Sequence, residues 1–170
     1  MALNIEATWS KAIDLTDGSK KNLIYSIADI NIVPNKPGIY VFARKHGNSF
    51  SPIYIGQADN LKSRIEQQFN HVPLMMSIKN AQQGKRILLF CEANLKKGQD
   101  RKKVLNLIEN ALIDHALSEG CELVNKQGTK RPAHSISFTG NRASEAIAPR
   151  KMLVKSALTN NSSGRKKARR

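Results

Sequence analysis

Cysteine is scarce: only Cys91 and Cys121 occur in 170 residues. Two thiols make no disulfide framework, and neither stands at zinc-ligand spacing from another donor. Cys91 lies in an apolar run, where a thiol packs as a small hydrophobe. There is no run of about 18 apolar residues, so nothing is long enough to span a bilayer. The opening MALNIEATW lacks the basic-then-apolar layout of a secretory leader, which leaves the cytoplasm as the expected compartment. Acidic residues are also few. Thirteen Asp+Glu face 28 Lys+Arg, a formal charge of +15 and a pI near 10.1. That imbalance excludes an acidic solvating protein and points to a polyanionic partner.

The basicity is not confined to the tail. From Glu145 onward there are eight Lys/Arg and one acid, yet residues 1–144 still carry a net charge of +8. The length suits one domain with tails, able to bury roughly 70% of its unfolded surface without staples. Hydrophobic residues at 40% fit a packed core.

Residues 1–32 read as a mixed lead-in containing Trp9, Ile13 and Leu15. GIYVFA (38–43) is β-branched and aromatic, hence a strand, and IYI (53–55) is a second. The stretch 45–52 between them reads as a loop closing an antiparallel hairpin. Asp59 or Asn60 caps a helix with Leu61, Ile65 and Phe69 on one stripe. Pro73 stops it, and 74–80 forms a further short helix. RILLFCEA (86–93) is a third strand, apolar enough to be central. A longer helix follows over 101–118, with Gly120 as its stop and Val104, Leu105, Ile108, Ala111 and Leu112 as its apolar face. His115 falls in that stripe and reads as a core histidine or a helix-end residue, not a ligand. Residues 135–138 suit a small strand, and residues from 159 on are expected to be disordered. The expected fold is therefore α/β (α+β): a small, largely antiparallel three-stranded sheet flanked by helices.

Five polar side chains could carry chemistry: Tyr40, Tyr54, Arg64, Glu109 and Asn125. Taken singly, each has a plain structural role. The tyrosines suit cross-strand packing, and Arg64 suits a stem lying along the rim of an apolar stripe. Glu109 has apolar neighbours one turn away at Leu105, Leu112 and Ile113. It is either a flank residue with its head in water or a partly buried carboxylate that needs a partner. His46 and His134 have no metal-ligand spacing.

Together they carry more. Gly38-Ile39-Tyr40 and Tyr54-Ile55-Gly56 resemble the two name-giving motifs of the GIY-YIG nuclease superfamily. Arg64 stands at the family's arginine position, Glu109 (in IENALI) at its metal-binding glutamate, and Asn125 (in LVN) at its closing asparagine. The likeness covers Pro37 to Lys126, which divides the chain into a 1–36 extension packed on the core, a 37–126 nuclease core, a 127–158 extension and a 159–170 basic tail. There are departures. The 13 residues between the triplets imply a longer hairpin loop. Gln68 replaces a frequent His or Tyr and cannot act as a base, which leaves His71 as the nearest imidazole. Gln57 replaces a frequent Lys or Ser.

The resemblance implies a divalent-metal-dependent endonuclease acting on DNA, restriction-like and stand-alone; DNA rather than RNA rests on the resemblance alone. Glu109 would hold Mg²⁺ or Mn²⁺, a hard ion that needs few carboxylates. Arg64 would fork onto phosphate oxygens. Tyr40 would be the general base, its pKa lowered by Arg64 and the metal. Tyr54 would orient water or phosphate, and Asn125 would brace Glu109 or nearby backbone. Gly38 and Gly56 are structural. Lys62, Lys79, Lys85, Arg86, Lys130 and Arg131 are the expected nucleic-acid contacts. The rival reading is a binding module on the same scaffold that has lost catalysis, and Gln68 is the feature that favours it.

Overall fold

The computed structural model describes residues 3–125, 133–140, 142–145, 147–148 and 150–155. Strands β1 (Glu6–Trp9) and β2 (Ile13–Asp14) come first, followed by the small ribbon of β3 (Thr16–Asp17) and β4 (Tyr25–Ser26). The hairpin β5 (Gly38–His46) and β6 (Ser49–Ala58) leads into helices α1 (Leu61–Phe69) and α2 (Val72–Lys79). Strand β7 (Lys85–Asn94) and helix α3 (Arg101–Ser118) complete the first unit, residues 1–129. The second unit holds β8 (Ala133–Ser137), α4 (Arg142–Glu145) and β9 (Lys151–Lys155), with β8 and β9 paired antiparallel. The expected 159–170 tail lies outside the described residues.

The fold is mixed α/β, an antiparallel sheet flanked by three helices, but the sheet is wider than expected. Its order is β1-β7-β5-β6, with β2 also on β7. The lead-in thus supplies two strands that cover the far edge of β7, and Leu15, Ile27 and Val33 join the core. The hairpin also differs. No long loop separates the triplets: both strands run on to a two-residue Gly47-Asn48 turn, with Gly47 at φ +60°. A glycine suits that first turn position. The remaining extra residue is absorbed by a bulge at Ile53, since Phe42 faces Tyr54 while Ala43 faces Pro52.

Strand β5 is buried on both faces, so its residues divide between two cores. Tyr40 and Phe42 point to the α1–α2 side with Leu61, Ile65, Phe69, Met75 and Ile78. Ile39, Val41 and Ile55 point to the α3 side with Leu105, Ile113 and Ala116. Each such side chain contributes roughly 1.5–3 kcal/mol, which together hold the helices to the sheet. Asn60 caps α1 by accepting from Ser63 N (3.1 Å), and Asp100 caps α3 by accepting from Lys103 N (2.7 Å). The buried stripe of α3 is Val104, Leu105, Ile113 and Ala116, so Ala111 and His115 are exposed. His115 is not a core residue; the stripe passes through position 109 instead.

Both triplet glycines are dictated by close approach. A methyl at Gly38 would overlap the carbonyl oxygen of Cys91 on β7. At Gly56 it would stand 2.5 Å from both Cζ and the hydroxyl of Tyr40, whose ring crosses that residue. Gly56→Ala is therefore expected to displace the Tyr40 phenol and lower stability by about 1–3 kcal/mol, read from a urea melt.

Candidate active site

Strand β6 is the sheet edge, so its outward backbone groups at 53, 55 and 57 need partners. The chain supplies one for each. Val124 N donates to Ile53 O (2.8 Å). The Asn125 side chain acts as a substitute strand: its Oδ1 accepts from Ile55 N (3.0 Å) and its Nδ2 donates to Ile55 O (2.6 Å). Glu109 then accepts from the backbone N–H of Gln57. Asn125 thus braces the edge strand, one step along from the carboxylate.

Glu109 is half-buried on the stripe of α3 that faces β6. Gln57 Nε2 donates to its Oε2 (2.9 Å) and to Asn106 Oδ1 (2.7 Å). Burial raises the Glu109 pKa above the ordinary carboxylate value, against the lowering by the two Gln57 donors. No Lys or Arg pairs with it among the described residues. In the sequence Gln57 stands out only as a departure from the family pattern, and Asn106 belongs to no motif. Asn106 was findable: it sits one turn before Glu109 on the same stripe.

On the other face of β6 stands the second cluster. Tyr40 is fully buried beside Tyr54, ring centroids 6.0 Å apart. Gln68 is buried against Tyr40, and of the two orientations of its amide the one assigned turns the oxygen toward three donors, because only that one satisfies Arg64 as well as Tyr40. That oxygen accepts from the Tyr40 hydroxyl (2.9 Å), Arg64 Nε (3.0 Å) and Arg64 Nη2 (3.0 Å). The opposite orientation would set an NH₂ group against guanidinium N–H. Arg64 Nη1 donates to Gln67 Oε1 (3.2 Å), and the guanidinium also hydrogen-bonds the Tyr40 hydroxyl, while the residue as a whole is exposed.

One expectation reverses here. Tyr40 was expected to have a lowered pKa, but it is raised: burial outweighs the pull of Arg64, and Tyr54 adds to the rise. The phenol is neutral at physiological pH. The structure therefore brings Tyr40, Tyr54, Arg64 and Gln68 into one network, and Glu109, Gln57 and Asn106 into another. The two meet around residues 54–57 of β6, with Asn125 on the edge between them. His71 is exposed at the start of α2, makes no cap bond, and belongs to neither network.

Arg86 is a correction. It is 8% exposed, and all five of its N–H groups are used: Nε on Ile78 O, Nη1 on Gln82 O and Gly84 O, and Nη2 on Lys79 O and Ala81 O. Its task is to close the α2–β7 connection, and it has no donor left for phosphate. Lys85 is exposed but paired with Asp14 (2.6 Å), and Lys62 donates to Asn31 Oδ1 (2.8 Å). Lys130 and Arg131 lie outside the described residues. No group of three His, Cys, Asp or Glu able to enclose a metal occurs among the described residues. A lone carboxylate still suits an ion that keeps most of its waters. A carboxylate offers about four lone-pair positions, and Gln57 accounts for two of them.

No helix among the described residues is long and apolar enough to cross a membrane. No family model matches the chain, and no solved structure does. Curated relatives match over short stretches, two of them as follows. The UvrABC system protein C of Petrotoga mobilis is 49% identical over 41 residues, 24% of this chain and 7% of that protein. That of Deinococcus radiodurans is 51% identical over 41 residues, 24% of this chain and 6% of that protein. This chain is thus similar to a small part of the UvrABC system protein C.

Proposed function

We propose that this chain is a GIY-YIG-type endonuclease that hydrolyses DNA phosphodiester bonds at the outer edge of β6, restriction-like and acting alone. The observation that carries this reading is the convergence at residues 54–57: one triplet's tyrosine lies across the other's glycine, Arg64 is tied to that tyrosine through Gln68, and Glu109 sits on the next backbone N–H. The short likeness to UvrABC system protein C supports a nuclease.

Each group has a task. Arg64 presents its exposed guanidinium to phosphate oxygens, and its planar fork matches them. Glu109 and the amides of Gln57 and Asn106 would hold a Mg²⁺ or Mn²⁺ ion. That ion supplies Lewis-acid stabilisation of the phosphate and leaving oxygen. Tyr40 stays protonated and buried and links Arg64 to Tyr54, and Tyr54, partly exposed beside it, orients the attacking water or the phosphate. Asn125 keeps the edge strand in register so that both networks face the same phosphate. Lys97 in the β7–α3 connection and Lys102 and Lys103 in the first turn of α3, which carry no ion pair among the described residues, extend the basic track. Lys102 lies seven residues before Glu109, hence about 10.5 Å along the helix and within about 20° of the same face.

Supercoiled plasmid and labelled DNA and RNA duplexes test the reading. Nicking in Mg²⁺ or Mn²⁺ and none in EDTA is the expected result, with binding that falls steeply as salt rises. A mobility shift with no cleavage in either metal contradicts it and favours the binding-module alternative.

A further inference from the structure

We propose that Gln68 is a positioning residue that sets the geometry of the site: its amide oxygen accepts hydrogen bonds from the Tyr40 hydroxyl and from two Arg64 N–H groups, fixing the direction of the phenol and the plane of the guanidinium. The proposal rests on the nuclease reading above and deepens it.

Gln68 is 5% exposed on α1, directly against Tyr40. A buried amide oxygen with three donors within 3.0 Å is not incidental packing. The same hydroxyl also meets Arg64 and Tyr54, so Gln68 closes a network of four side chains around the phenol. The guanidinium is held by Nε and Nη2 on one oxygen, which fixes the plane of its fork and the direction of its remaining donors. The charged and titratable groups of this cluster are Tyr40 on β5, Tyr54 on β6 and Arg64 on α1. Glutamine does not titrate, so the network keeps one arrangement across the pH range in which an imidazole there would change.

Three variants of the full chain test this. Gln68→Met keeps the volume and removes the acceptor. It is expected to fold, to lose about 100-fold in kcat, and to change DNA KM little. Gln68→Glu restores an acceptor and is expected to recover to within about tenfold of the wild type. Gln68→His is expected to gain an acid limb near pH 6.5, since only the neutral imidazole accepts. A second readout needs no cleavage: in ¹³C-tyrosine-labelled protein without DNA, the Tyr40 Cζ resonance shifts in Gln68→Met and returns toward its wild-type position in Gln68→Glu. If the wild type does not cleave while this shift occurs, the nuclease reading fails and the positioning role stands. An unmoved Cζ resonance, Gln68→Met cleaving within about threefold of the wild type, or Gln68→Glu as inactive as Gln68→Met would each overturn the proposal.

Discussion

Glu109→Gln is expected to abolish the proposed cleavage, by about 10³-fold or more in kcat, while the protein melts at the same or a higher temperature at pH 7. The first half follows from replacing the one carboxylate on the β6 edge with an amide that holds a hard cation poorly. The second half follows from the raised pKa. Burial disfavours the ionised form in the folded chain, so neutral pH is where the wild type bears that cost. A group with a raised folded pKa contributes stability that is present below its unfolded value, about 4.3, and is lost as pH rises through the folded value. The variant's advantage is therefore expected at neutral pH and disappears in acid. Thermal melts at pH 7 and pH 4, beside plasmid cleavage, check both halves. A variant that unfolds readily at pH 7 would mean that Glu109 is chiefly a structural carboxylate.

Arg86→Met is the largest expected loss of stability, more than about 3 kcal/mol. Five carbonyls lose their donor together, two of them, Ile78 and Lys79, at the C-terminal end of α2. A cation is favourable there as well as hydrogen-bonded. Water can reach some of these oxygens, which limits the loss, but the Nε bond to Ile78 is buried. Arg86→Lys is not a rescue, because three donors on one nitrogen cannot span five carbonyls. Urea unfolding should show both variants destabilised, and DNA affinity measured on folded protein should change little. A large drop in affinity without a drop in stability would restore Arg86 to the phosphate contacts.

What the residues disclosed, and what they hid, follows from how local each signal is. The hairpin, α1, β7 and α3 rest on short-range patterns of caps, stripes and β-branched runs; α1, β7 and α3 stand within a residue of where those patterns put them, and the hairpin stands there with longer strands. The lead-in strands were hidden because β1 is exposed throughout and β2 has two residues, so neither shows an apolar alternation. Their existence depends on β7, some 80 residues away. The hairpin loop was overestimated because residues 44–51 are polar, and polarity does not separate a solvent-facing ladder from a loop. The site residues were legible as motifs, but their electrostatics were not. Burial is a property of the assembled core, so the raised pKa of Tyr40 could not be read from the neighbourhood of Arg64 in sequence. Arg86 shows the same limit, since a basic residue in a basic chain reads as a surface charge until its partners are placed. Gln68 looked like a lost base; in the fold it is the acceptor that joins Tyr40 to Arg64.

One metal-dependent centre is proposed to assemble around the edge of β6 from both faces of the sheet. Replacing Mg²⁺ with Fe²⁺ and adding ascorbate and peroxide generates hydroxyl radicals that cut the polypeptide beside the bound ion. The expected cuts fall at residues 54–57, around Glu109 and at 123–125, and they disappear in Glu109→Gln. Cuts confined to other segments, or the same pattern in Glu109→Gln, would contradict it.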